Sequence, residues 1–125
     1  MAKKIVLIED EEILVDLLSR KLKNEGYEVE IARNGEEGLN LLKGMSPKPD
    51  LVLLDIIMPK KSGFEVMEEM LKDETLKNIP VIVISNSGQP VELDRAKKLG
   101  AKDWLIKTEF DPKEVLLKVQ NLIGK

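Results

Sequence analysis

Short, uninterrupted apolar runs alternate along this chain with longer stretches whose apolar positions recur every three or four residues. The runs at 5–8, 29–32, 51–54, 81–84 and 104–106 are rich in valine, isoleucine and leucine and predict five strands. The first, third and fourth show no polar alternation, the pattern of strands covered on both faces. Five helices are predicted between and after them. The first takes Asp10 as its N-cap, carries acids in its opening turn, places Ile13, Leu14, Leu17, Leu18 and Leu22 inward, and stops at Gly26. A second follows Asn34 with Leu39, Leu41 and Leu42, ending at Gly44. A third follows Ser62-Gly63 and puts Phe64, Met67 and Leu71 on one face. Pro90 lies in the first turn of a fourth, which buries Leu93, Ala96 and Leu99 and ends at Gly100. The last opens with Asp111-Pro112-Lys113-Glu114, a capping-box spacing, and its inner face is Val115, Leu116, Val119, Leu122 and Ile123.

Five strand-then-helix units in succession predict an α/β fold, a doubly wound parallel sheet with helices on both faces. No repeat, low-complexity tract or linker divides the chain, so residues 1–125 read as a single domain, large enough to bury its own core. Residues 46–49, Ser-Pro-Lys-Pro, read as a rigid loop into the third strand. No apolar segment approaches the roughly 20 residues of a membrane span, and the run at 5–8 is too short for a secretory signal. No membrane association and a cytoplasmic location are therefore expected.

Composition narrows the chemistry. The chain has no cysteine and no histidine, which removes disulfides, thiol nucleophiles and imidazole in any role. A net charge of −3 gives no electrostatic case for nucleic acid as a direct partner. What chemistry remains belongs to carboxylates, hydroxyls and lysines.

Open parallel sheets bind ligands beyond the carboxyl ends of their strands. Glu9 and Asp10 follow the first strand, Asp55 the third, Ser85 the fourth and Lys107 the fifth. Taken singly, each has a plainer reading: Asp10 a helix cap, Asp55 part of the turn that Met58-Pro59 begins, Ser85 a loop hydroxyl, Lys107 a solvated lysine. Taken together, they converge on one rim. Clustered carboxylates repel unless a cation neutralises them, and an all-oxygen donor set suits a hard ion such as Mg²⁺. A carboxylate beside such an ion can attack phosphorus, with an ammonium such as that of Lys107 and a hydroxyl such as that of Ser85 meeting the phosphoryl oxygens.

Ile8-Glu9-Asp10-Glu11, then Leu53-Leu54-Asp55-Ile56-Ile57-Met58-Pro59 with Gly63 beyond it, Ser85, and the segment from Gly100 to Lys107 occur in an order and spacing that resemble the response-regulator receiver family over essentially the whole chain. The likeness is to stand-alone, chemotaxis-regulator-like members with no output domain. It implies a flavodoxin-like strand order 2-1-3-4-5. It also implies that Asp55 is the phosphoryl acceptor, that Glu9, Asp10, Asp55 and the backbone carbonyl of Ile57 hold Mg²⁺, and that Lys107 contacts the phosphoryl group. Ser85 and Trp104 take the switch positions. The implied partners are a sensor histidine kinase or histidine phosphotransfer protein and a downstream effector protein, with the chain a monomer or a phosphorylation-linked dimer. No enzymatic activity is implied beyond its own phosphorylation and dephosphorylation. Thr108 stands where the family usually has proline, Asn86 where it often has alanine, and Trp104 where it usually has tyrosine or phenylalanine.

Two other classes compete. A receiver-like module that docks a partner without switching would be expected to have lost part of the acid, hydroxyl and lysine set. A nucleotide-binding oxidoreductase needs a glycine-rich first turn, whereas this turn is Glu9-Asp10-Glu11-Glu12. A haloacid-dehalogenase-like phosphatase needs an acid two residues past its nucleophile, where this chain has Ile57.

Overall fold

The computed structural model describes residues 2–58, 60–86, 88–109 and 111–124. Pro59, the second residue of the turn expected after Asp55, lies outside them. Strands β1 (Lys4–Ile8), β2 (Glu28–Ala32), β3 (Leu51–Asp55), β4 (Val81–Ser85) and β5 (Asp103–Ile106) alternate with helices α1 (Glu12–Asn24), α2 (Gly35–Gly44), α3 (Gly63–Leu71), α4 (Pro90–Lys98) and α5 (Pro112–Ile123). The strands form one parallel sheet in the order β2-β1-β3-β4-β5, the doubly wound order implied above.

The unbroken apolar runs work because alternate side chains enter opposite layers. Val6, Ile8, Val52, Leu54, Val81 and Val83 face the layer built by α2, α3 and α4. Ile5, Leu7, Leu51, Leu53, Ile82 and Ile84 face α1 and α5. Edge strand β2 instead alternates half-buried Val29 and Ile31 with exposed Glu28 and Glu30.

The helix ends agree with the sequence in part. Asn34 caps α2 through Glu37 N–H, and Asp111 caps α5 by accepting from Lys113 and Glu114 N–H. Ser62 and Glu65 close a reciprocal capping box on α3 that had not been expected. At α1 the expectation fails: the N-cap is Glu11, with no side-chain bond to the helix, and Asp10 is an exposed residue ahead of it. The inner face of α1 is also rotated. Leu14, Val15, Leu18 and Leu22 are buried, while Ile13 is 86% and Leu17 43% exposed. Likewise Met70, rather than Leu71, completes the inner face of α3. Helix α4 is thinly attached, since Ala96 is its one fully buried residue and Leu93 and Leu99 are half-buried. Among the described residues no helix is long and apolar enough to cross a membrane.

Candidate functional site

Parallel pairing brings the carboxyl ends of β1, β3, β4 and β5 to one edge. Asp55 is the last residue of β3 and Ser85 the last of β4, each 1% exposed. Glu9 directly follows β1 and is wholly buried. Lys107 directly follows β5, where its backbone N–H donates to the Ser85 carbonyl at 2.8 Å, continuing the ladder past the strand. That bond, with a turn closed by Glu109 N–H on the Ile106 carbonyl at 2.9 Å, positions Lys107 without the proline that Thr108 replaces.

From this anchor the Lys107 ammonium donates to Asp55 Oδ2 at 3.0 Å, Glu11 Oε1 at 3.0 Å and Glu9 Oε2 at 3.3 Å. Asp55 Oδ1 accepts from Ile57 N–H at 3.2 Å, and Glu9 Oε2 also accepts from Glu11 N–H at 3.0 Å. Carboxylate oxygens of Glu9, Asp10 and Asp55 all lie within 4.8 Å of one another. Burial shapes the titration of this group. It pushes the Glu9 carboxyl up to about 8, with the charge of Asp55 adding to the effect against the lowering pull of Glu11 N–H and Lys107. It raises Asp55 above the ordinary aspartate value even though Lys107 opposes the shift. For Lys107, burial alone would lower the pKa, but the bonds to Glu11 and Asp55 overcome it and hold the ammonium charged.

The donor set fits a hard divalent cation. Three carboxylates supply only oxygens, Glu9 Oε1 is buried with no hydrogen-bond partner among the described residues, and Asp10 lies exposed beside it. Freed from the capping role first assigned to it, Asp10 is available for such an ion. Ile57 turns its side chain outward, 53% exposed, leaving its backbone at the site.

Ser85 is brought to the rim but its hydroxyl is engaged elsewhere, donating to Glu92 Oε1 at 3.0 Å and accepting from Gly88 N–H at 3.1 Å. Trp104, on β5, is 36% exposed, with the Lys118 ammonium 6.0 Å from its ring centroid. Lys118 also reaches the Trp104 carbonyl, Asp103 at 3.1 Å and Glu114 at 3.4 Å, fastening β5 to α5. Glu11 and Glu92 are the residues that sequence reasoning left without a role. Each is an acid at or near a helix start, where the helix dipole alone would explain it.

A doubly wound sheet of this order, with acids and a lysine gathered at its carboxyl edge, defines a receiver-type domain of two-component signalling. Residues 5–120 match the response regulator receiver domain, and the chain belongs to that family. It is 34% identical over its full length to the alkaline phosphatase synthesis transcriptional regulatory protein PhoP of Bacillus subtilis, covering 50% of it. The chain spans about half the length of the curated relatives it matches. Among solved structures, the phosphorylated cyanobacterial phytochrome response regulator RcpA is 32% identical, with a TM-score of 0.83 over 97% of this chain and 91% of that one. The Mn²⁺-bound form of response regulator Rcp1 is also 32% identical, with a TM-score of 0.81 over 95% of this chain and 90% of that one.

Proposed function

We propose that this receiver domain accepts a phosphoryl group on Asp55, from a histidine kinase or a histidine phosphotransfer protein, and thereby changes which partner it binds. The carrying observation is Asp55 itself: a carboxylate 1% exposed at the end of β3, held at 3.0 Å by Lys107, with Glu9 and Asp10 oxygens within 4.8 Å. The likeness to a regulator solved in phosphorylated form and to one solved with Mn²⁺ supports the same reading.

In the reaction an Asp55 oxygen forms a bond to phosphorus as the bond to the donor's leaving group breaks. The leaving imidazole of a phosphohistidine departs with the electron pair and is protonated. Glu9, Asp10, Asp55 and the Ile57 carbonyl would hold Mg²⁺, which when bound neutralises charge on the phosphoryl oxygens. Lys107, already on Asp55 and kept charged by its bonds to Glu11 and Asp55, supplies a second positive charge that can follow the phosphoryl group. The product replaces the single carboxylate charge of Asp55 with close to two on the phosphoryl oxygens, which draws the Ser85 hydroxyl and alters the face bearing Trp104. The chain turns over no external substrate and catalyses only its own phosphorylation and dephosphorylation.

Intact mass after incubation with Mg²⁺ and acetyl phosphate tests this directly. One added phosphoryl group, absent with Asp55→Asn and absent without metal, is the expected result. A folded chain that neither gains mass nor binds Mg²⁺ would overturn the reading.

A further inference from the structure

The Ser85 hydroxyl has a single hydrogen, and it is spent on Glu92. Through that bond and the one accepted from Gly88 N–H, a buried side chain at the end of β4 fastens the following loop and the first turn of α4. The fastening matters because α4 has little else to hold it. Its N-cap, Gln89, makes no side-chain bond to the helix, and Ala96 is its one fully buried residue. Arg95, 4.2 Å from the centroid of the Phe64 ring, ties the next turn to α3 from the outside. The loop is also packed against β5: a Cβ added at Gly88, whose φ is +65°, would lie 2.4 Å from Ile106 Cδ1. Movement of this loop is therefore felt beside Lys107.

We propose that Glu92 is a positioning residue that holds Ser85 in the unphosphorylated arrangement, competing with a phosphoryl group on Asp55 for the same hydroxyl hydrogen. This rests on Asp55 being the acceptor. Ser85 can donate to Glu92 or to a phosphoryl oxygen, but not to both. Capture by the phosphoryl group therefore releases the Glu92 carboxylate and loosens the first turn of α4. By linkage, weakening the Glu92 bond enlarges the fraction of molecules ready to receive the phosphoryl group.

The test uses the full chain and beryllofluoride, a stable phosphoryl mimic, titrated at saturating Mg²⁺ while the Gly88 amide is followed by NMR. E92A should tighten beryllofluoride binding by roughly 3- to 10-fold, the range expected on losing one ordinary hydrogen bond at a half-buried, partly solvated position. E92Q, which keeps a weaker acceptor, should fall between E92A and wild type. Without ligand, the Gly88 amide of E92A should already be shifted part of the way toward its bound position. In an S85A background, E92A should no longer change the affinity, which separates competition for the hydroxyl from a general loosening of α4. Wild-type binding with E92A equal or weaker, or an equal E92A effect in the S85A background, would overturn the role of Glu92 and leave Asp55 as acceptor. Failure of folded wild type to bind beryllofluoride would instead remove the acceptor reading, and this proposal with it.

Discussion

Glu9 has no accessible surface and one carboxylate oxygen without a partner among the described residues, so its charge weighs on the fold in a pH-dependent way. An unfolded chain releases this proton near 4.5, whereas the folded metal-free chain keeps it until about 8. Between those values the folded state binds more protons, and its stability falls as pH rises; below 4.5 the cost is absent and above 8 it is complete. Urea unfolding in EDTA from pH 5 to 8.5 should lose roughly 2–4 kcal/mol from this residue. Glu9→Gln should flatten the profile, and a wild-type profile that rises with pH would contradict the assignment. Asp55, also raised by burial, acts in the same direction. The five rim residues were legible in the sequence because a polar group right after a buried strand has one place to go. Glu11 and Glu92 were not, since an acid near a helix start satisfies the dipole whether or not its carboxylate reaches Lys107 or Ser85.

Helix α3 can begin where it does only because its first residue is glycine. A Cβ at Gly63 would sit 2.3 Å from the Asp55 carbonyl oxygen and 2.8 Å from Ile56 Cα, both backbone atoms that cannot give way cheaply. Gly63→Ala should cost roughly 1–3 kcal/mol by denaturant unfolding. Gly44→Ala, at the other end of a helix with nothing within 4 Å, should be neutral or mildly stabilising. Equal effects at the two positions would argue against the close approach. Elements themselves were legible from periodicity to within a residue or two. The rotation of α1 was not. Five apolar positions there span an arc wider than the sheet covers, and periodicity does not say which edge of a wide stripe stays wet; Ile13 and Leu17 lie on that edge. The N-cap was misplaced as well: aspartate is the better capping residue and Asp10 was expected there, but the helix starts one residue later, capped at Glu11, whose side chain makes no bond to it.

At the scale of the whole molecule, a cation bound by Glu9, Asp10 and Asp55 would tie β1 to β3 and so stabilise the elements packed on the sheet. With Mg²⁺ at about 100 times its dissociation constant the fold should gain about 2.7 kcal/mol over EDTA. Thermal unfolding should show a saturable upward shift, much reduced in Asp10→Asn. An equal shift in that variant would place the ion elsewhere. Both layers of the sheet were legible from the lack of polar alternation in β1, β3 and β4, but the order of strands was not. Hydrophobic pattern says that a strand is covered on two faces, not which strand lies beside it; the family likeness supplied the order that the pairing of β1 with both β2 and β3 bears out.

The ion pair between Lys107 and Glu9 joins residues 98 apart in the chain, and that between Lys107 and Asp55 spans 52. Such a site does not exist in any half-made molecule. A chain cut ahead of β5 keeps Asp55 but has lost the lysine that stands against it. The contact between Lys107 and Asp55 is thus a mark of assembly, made only when the ends of β3 and β5 stand at the same edge of the finished sheet.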